Sequence, residues 1–365
     1  MHHPTVLITG SSGLIGRALC HRLGNLGVNV IGFDQDGPPY PPPNTDCMFV
    51  DLTSDESMQN AFHIVEERYG SRLDCVIHLA AYYSFDGRPS PMYKKLTVDG
   101  TERLLRELHR FDVGQLIFSS TMLVHAPGHP GQRINEQSPI CATWAYPQSK
   151  IETEHKIAER HGDIPAVILR IAGVYTDLCE SVPLAHQIQR IYEKQLTSHV
   201  YPGDVHSGQS FVHLDDLIES IVLSIEARDE LEPLEVFLIG EPDTMTYEEL
   251  QRETGLLIHG KDWETMYVPK PIAKAGAWVQ NVVPIGDRAF IKPWMVDRAD
   301  DNYVLVISKA RNLLGWEPQR SLRLVLPRMI DGLKVDPERW YKINKLHPPI
   351  FRIDWGHDHH VRKSA

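Results

Sequence analysis

Thr5-Val6-Leu7-Ile8-Thr9-Gly10-Ser11-Ser12-Gly13-Leu14-Ile15-Gly16 is an apolar run that breaks into three glycines spaced three apart. It resumes as a helical pattern through Ala18, Leu19 and Leu23. The order is strand, glycine-rich turn, helix. Such a turn sets bare backbone N–H groups and a helix N-terminus against a phosphate anion. Gly10 permits the tight turn, Gly13 leaves room for a pyrophosphate, and Gly16 lets helix and strand pack closely. A glycine-rich surface loop would look the same in isolation, so the reading needs support from further along the chain.

That support comes from Val28-Asn29-Val30-Ile31-Gly32-Phe33-Asp34, a second strand ending in an acid about twenty residues on. A carboxylate there accepts hydrogen bonds from the ribose hydroxyls of NAD and repels the 2′-phosphate of NADP. Gln35 and Asp36 follow, with no Arg to hold that phosphate. NAD is therefore favoured over NADP.

Strand and helix patterns alternate through the first half. Met48–Val50 runs into Asp51-Leu52, where the acid suits either the adenine side of a cofactor or a helix cap. A fourth strand, 73–78, passes into Leu79-Ala80-Ala81, small residues of the kind a cofactor lying across a strand end requires. A helix over 91–111 precedes a fifth strand, 113–119, which ends in Ser119-Ser120-Thr121. A long irregular stretch leads to a helix opening at Trp144, and Ala166–Arg170 forms the sixth strand. This alternation predicts an α/β, Rossmann-type, doubly wound parallel sheet.

Beyond residue 175 the pattern loosens. Helices are expected near 183–194, from Phe211-Val212-His213-Leu214-Asp215-Asp216, and over 246–253, where Thr246 and Glu249 have capping-box spacing. Leu234–Ile239 reads as one more sheet strand, and 272–283 as an apolar lobe helix containing Trp278. The expected division is a Rossmann domain over 1–176, rejoined by 205–240, and a smaller C-terminal substrate-binding lobe over 177–204 and 241–335. The extension 336–365 has no assigned place.

The 365 residues carry 37 Lys and Arg against 48 Asp and Glu, a net charge of -11. Nucleic acid is a poor partner for that balance, because phosphate backbones need a basic face. Five dispersed cysteines without a C-x-x-C pair read as reduced thiols, not a disulfide frame or zinc site. With a strand beginning at residue 5 and no apolar run long enough to span a bilayer, the expectation is a cytoplasmic protein. His357, His359 and His360 read as a solvated tail, so no metal is expected.

Tyr146 and Lys150 lie four apart on a predicted helix and share a face. An ammonium beside a phenol favours the phenolate, which can take the proton of a substrate hydroxyl as hydride leaves its carbon. Lys150 can also hold the nicotinamide ribose. Thr121, at the end of a neighbouring strand, can donate to the same substrate oxygen and stabilise the charge that develops there.

Thr9-Gly10-x-x-Gly13-x-x-Gly16, Asp34, Asp51-Leu52, His78-Leu79-Ala80-Ala81, Val98-x-Gly100-Thr101, Ser119-Ser120-Thr121 and Tyr146-x-x-x-Lys150 together resemble the extended short-chain dehydrogenase/reductases, the NAD-dependent epimerase/dehydratase group. Leu169-Arg170, Phe211-Val212-His213-x-Asp215-Asp216 and Leu314-Gly315-Trp316-x-Pro318 extend the likeness over roughly 5–330. The resemblance implies a catalytic set of Thr121, Tyr146 and Lys150. It implies NAD contacts from Gly10, Ser12, Gly13, Leu14, Ile15, Gly16, Asp34, Asp51, Leu52, Leu79, Ala80, Ala81, Ser119, Tyr146, Lys150, Ile171 and Val174. It places Tyr83, Thr121, Gly173, Gln209 and Arg298 around a small-molecule substrate, and it implies a homodimer.

The departures bear on the substrate. Thr97 replaces an Asn usual in nucleotide-sugar members. Gln209 stands where they carry a diphosphate-binding Arg, and Gly173 where an Asn often contacts the same ligand. Arg298 keeps the place of a second phosphate-binding Arg. Met122-Leu123 replaces the acidic pair of dehydratases. The stretch from Val268-Pro269-Lys270 through Trp278, and Pro293-Trp294-Met295-Val296, is more similar to the 3-beta-hydroxysteroid dehydrogenase-like branch, whose apolar lobe covers an apolar substrate. Three readings follow: an oxidoreductase acting on a secondary alcohol or ketone, a nucleotide-sugar epimerase, and a non-catalytic NAD sensor.

Overall fold

The computed structural model describes residues 3–37, 41–42, 44–84, 87–275 and 292–347. Seven parallel strands form the central sheet: β1 (Thr5–Thr9), β2 (Asn29–Asp34), β3 (Thr45–Phe49), β4 (Cys75–His78), β5 (Leu116–Thr121), β6 (Ala166–Ile171) and β7 (Leu234–Ile239). Their spatial order is β7-β6-β5-β4-β1-β2-β3. The order reverses beside β1, so the carboxyl ends of β1 and β4 flank the crevice where such sheets take ligands.

Both faces of the sheet are buried, and β1 shows why its sequence is apolar throughout. Val6 and Ile8 enter one core with Leu19 and Leu23 of helix α1 (Leu14–Asn25) and Leu217 and Ile221 of helix α6 (Leu214–Glu226). Leu7 faces the other way. It packs with Phe62 and Val65 of helix α2 (Asp55–Tyr69) and Leu104 and Leu108 of helix α3 (Asp99–Leu108). Alternate side chains thus serve two apolar layers.

Helix α4 (Ala145–Arg160) follows β5 through a long irregular segment. That segment is stitched to the C-terminal half of the chain: Ile134 N–H donates to Val304 O at 2.8 Å and Gly128 N–H to Asn302 O at 2.9 Å. The helices α5 (Val182–Tyr192), α7 (Tyr247–His259), α10 (Leu322–Val335) and α11 (Pro337–Ile343) form a lobe around a separate apolar cluster. Between α7 and α10 come α8 (Pro293–Asp297) and α9 (Ser308–Leu314), and α9 packs on the sheet core through Ala310 and Leu314. The Thr246/Glu249 capping box is formed in full.

Several boundaries differ from the sequence reading. Residues 91–111 do not form one regular helix: Tyr93–Val98 is a π-helical turn leading directly into α3. Phe211–His213 is a short strand paired with Gly173–Tyr175, and the helix starts only at Leu214, where the His213 ring caps it by accepting from Asp215 N–H at 3.2 Å. The chain after 335 is partly built into the lobe: Trp340 and Tyr341 are buried with Leu326 and Ile330, and the Tyr341 hydroxyl donates to Glu193 at 2.6 Å. An aromatic pair surrounded by charge gives no periodicity to read, which is why that segment had no assigned place. Most of the apolar 272–283 segment, with Trp278, and the three late histidines lie outside the described residues.

Candidate active site

Gly10 takes a left-handed φ of +74°, and a Cβ there would stand 2.9 Å from Ala80 N. A Cβ on Gly16 would stand 2.2 Å from Gly10 O, so the turn tolerates no side chain at either position. Gly13 is the N-cap of α1, whose first turn holds no acidic residue. The N–H groups of Leu14 and Ile15 belong to that first turn, where a helix leaves donors without partners of its own. In the chain's other long helices acids often fill this place, as Asp55 and Glu56 do in α2. Here the dipole is left for an external anion.

Asp34 closes the turn from β2. Its Oδ2 accepts from Ser12 N–H at 2.9 Å and its Oδ1 from Gln35 N–H at 2.7 Å. Gly10, Ser12, Gly13, Asp34, Leu52, Leu79, Ala80 and Ala81 line one cleft of about 430 Å³ together with Phe33, Gln35, Asp36, Val50 and Leu96. Of the last five, Gln35 and Asp36 were noted in the sequence only as supplying no Arg, and Phe33, Val50 and Leu96 were not singled out; Phe33 and Val50 read simply as strand core. Asp51 is engaged locally: its Oδ1 accepts from Thr53 N–H and Thr53 Oγ1–H, both at 2.8 Å, while Ser54 caps α2. The cap of α2 is therefore Ser54 and not Asp51, whose carboxylate instead braces the turn before it.

The floor of the cleft is fixed by a buried relay. Ala80 N–H donates to Thr9 Oγ1 at 3.2 Å, and that hydroxyl donates to His78 Nδ1 at 2.6 Å. His78 Nε2–H donates to Thr101 Oγ1 at 2.8 Å, which donates to Thr97 O at 2.6 Å. Every polar atom finds a partner only if His78 is neutral. Burial, helped by Lys150, pushes its imidazole down to about 3.

Tyr146 and Lys150 lie on the sheet-facing side of α4. Lys150 is 3% exposed, and its ammonium donates to Ser119 O at 2.6 Å and sits 4.6 Å over the Phe118 ring. Burial pushes it down to about 7, against the pull of Glu154. The phenol of Tyr146 is pushed up to about 12 by burial, and a hydrogen bond with Thr121 works the other way. The expected lowering of the phenol is thus not a property of the protein groups alone, because desolvation exceeds the favourable contacts.

Aromatic rings surround Tyr146. Tyr83 meets it edge-on at 4.9 Å, Trp144 lies 5.6 Å away, and Trp294 of α8 stacks on Trp144 at 5.4 Å. The Arg298 guanidinium covers Trp144 at 5.6 Å and bonds Thr143 and Asp301. Trp144 and Trp294 were missed as site residues, since nothing local marks a tryptophan as pocket wall. The remaining sequence candidates are more dispersed. Ile171 ends β6, and Val174 pairs with Val212. Gly173 is covered by the Phe211 ring, which a Cβ would meet at 2.8 Å. Gln209 is exposed, in a bridge to Tyr303.

The family model described as NAD dependent epimerase/dehydratase matches residues 6–240. The chain belongs to that family. It is similar to short-chain dehydrogenase/reductase family 42E member 1 of Bos taurus, 30% identical over 239 residues, 61% of this chain and 58% of that protein. The match thus takes in less than two thirds of that relative's length. It is 23% identical to the decarboxylating sterol-4-alpha-carboxylate 3-dehydrogenase of Candida albicans over 91% of this chain and 98% of that one. Its fold resembles the UDP-glucuronic acid 4-epimerase of Bacillus cereus solved with UDP-glucuronic acid and NAD. That TM-score is 0.67 at 20% identity, over 90% of this chain and 99% of that one.

The cofactor of this family is NAD, and the residues present fit it. The Gly10 cradle excludes a Cβ, α1 offers an acid-free N-terminus, and Asp34 meets the turn through Oδ2 at Ser12 N–H. Among the described residues no group of three His, Cys, Asp or Glu is placed to hold a metal, and no helix is long and apolar enough to cross a membrane.

Proposed function

We propose that this family member is an oxidoreductase that transfers hydride between NAD and a secondary alcohol or ketone on an apolar substrate, with Tyr146 as its acid and base. The observation that carries the reading is the setting of Tyr146. Its phenol is bonded to Thr121, shares a helix face with buried Lys150, and is walled by Tyr83, Trp144 and Trp294.

NAD, when bound, would supply the hydride acceptor and the positive charge of its oxidised ring. The chain does the rest. Thr121 donates to the substrate oxygen and fixes its position. Tyr146, held protonated by the protein, donates its proton to a ketone oxygen in reduction. As phenolate it accepts the hydroxyl proton in oxidation. Lys150 favours that phenolate when charged. The three aromatic rings give an apolar substrate a surface to pack on. Asp34 holds the adenosine ribose and selects NAD over NADP.

A nucleotide-sugar epimerase is the second reading, favoured by Arg298 at the mouth of the site. Gln209, with no charge for a diphosphate, and Gly173, masked by Phe211, weigh against it. The resemblance of nearly the whole chain to a sterol dehydrogenase weighs the same way. The two separate in one assay: NAD with a panel of hydroxysteroids, and UDP-hexoses without added cofactor. Net NADH formation supports the oxidoreductase, and sugar interconversion without NADH supports the epimerase. Tight NAD binding with neither reaction would favour the non-catalytic sensor.

A further inference from the structure

Glu154 is one helical step of four beyond Lys150, as Lys150 is beyond Tyr146, so the three stand in line on the buried face of α4. Each is tied to one residue at the end of β5. Tyr146 bonds Thr121, the Lys150 ammonium donates to Ser119 O, and the Ser120 hydroxyl donates to Glu154 Oε1. The strand end Ser119-Ser120-Thr121 and the helix face are thus matched residue for residue.

Glu154 is tied a second time, to β6. Arg170 grips it side-on, Nε to Oε1 at 3.2 Å and Nη2 to Oε2 at 2.7 Å. The pair is buried, 7% and 8% exposed. Arg170 is itself held from behind, Nη1 donating to His125 Nε2 at 3.1 Å and to Glu136 O at 3.3 Å. His125 Nδ1–H donates to Ser138 O at 3.0 Å, which leaves Nε2 as an acceptor and the ring neutral. A lone buried carboxylate would be costly, and this one is satisfied on both oxygens by a forked, rigid donor.

We infer that Glu154 is a positioning residue: clamped by Arg170 and Ser120, it sets the register of α4 on the sheet and keeps a negative charge one turn from the Lys150 ammonium. This rests on the reading of Tyr146 and Lys150 as the reacting pair. The groups facing Lys150 are Tyr146 and Glu154 on its own helix, His78 at the end of β4, the Ser119 carbonyl and Phe118 ring on β5, and Tyr93 beside Tyr146. His78 is neutral, so Glu154 is the one anion in this set. Burial drives Lys150 towards its neutral form, and Glu154 opposes it.

The test follows the titration of Lys150 itself by NMR of 13Cε-labelled lysine in the full chain, assigned with Lys150→Met. Turnover against pH is recorded alongside. Glu154→Gln leaves Arg170 buried without its anion and is read where it folds. Glu154→Met combined with Arg170→Met removes the ion pair as a unit, so neither of its members is left buried without the other, and is read in every case. The expected result is a Lys150 midpoint lower by about one pH unit, a tenfold change in its proton equilibrium. Turnover should fall while KM stays nearly unchanged, and Glu154→Asp should restore the midpoint more fully than the turnover. A midpoint equal to the parent's in the double variant would overturn the inference. Loss of the proposed chemistry is distinguishable, because the NMR midpoint does not depend on any substrate being turned over.

Discussion

Tyr146→Phe keeps the ring and its contacts with Tyr83 and Trp144 and removes only the titrating oxygen. Turnover should drop by at least ~100-fold while NAD affinity changes little, measured by steady-state kinetics and calorimetric titration. Turnover equal to the parent's would remove Tyr146 from the chemistry. Asp34→Ala removes the acid that faces the Ser12 and Gln35 N–H groups. It should narrow the ratio of NAD to NADP affinity, and an unchanged ratio would make the acid purely structural. These residues could be read in advance because each lies in a short motif with fixed spacing. Glu154 could have been read too, since it continues the four-residue step of Tyr146 and Lys150. What could not be read is its partner: Arg170 lies across the sheet on β6, and nothing in linear spacing joins the two.

The turn between β1 and α1 is built on steric necessity. Gly16→Ala would press a methyl carbon against Gly10 O and should cost about 1–3 kcal/mol of stability and most of the NAD affinity. Normal melting and normal NAD binding in that variant would contradict the geometry. The join between β7 and α10 makes a different prediction. Glu241 follows β7, accepts from the Tyr175 hydroxyl and from Leu322 N–H, both at 2.7 Å, and is 1% exposed. Burial pushes its carboxyl up to about 7 from 4.5. A raised carboxyl binds its proton more tightly in the folded chain, so this contribution is present below about pH 4.5 and is lost as pH rises through 7. Glu241→Gln lacks that loss. Between about pH 4 and pH 8 the melting temperature of the Gln variant should gain on the parent's, by an amount equivalent to roughly 3 kcal/mol. A constant difference across that range would show that Glu241 does not titrate there. The sheet strands were legible because apolar runs between turns repeat regularly. The π-helical turn at Tyr93–Val98 was not, because its sequence pattern is that of an ordinary helix.

Across the whole molecule, the Rossmann architecture was legible from its alternating pattern, but the seating of the C-terminal half was not. Trp294 reaches Trp144 across 150 residues and Asn302 reaches Gly128 across 174, contacts that leave no local trace. The homodimer implied by resemblance stands as a proposal. Its expected face, the outer side of residues 93–108 and α4, exposes Lys94, Lys95, Arg106, Glu152, His155 and Glu159. An interface built on such charges should loosen as salt shortens the screening length from about 10 Å at 0.1 M to about 3 Å at 1 M. Sedimentation velocity at the two salt levels should show dimer giving way to monomer. A dimer indifferent to salt, or a monomer throughout, would place the interface elsewhere or remove it.

One NAD should lie across the carboxyl edge of the sheet, its adenosine ribose on Asp34 and its nicotinamide beside Tyr146 and Lys150. A crystal structure grown with saturating NAD tests it most directly. The pyrophosphate should lie on the turn from Gly10 to Gly16, with the Lys150 ammonium within hydrogen-bond reach of the nicotinamide ribose. An empty cleft, or a dinucleotide whose ring lies away from the Tyr146 phenol, would contradict it.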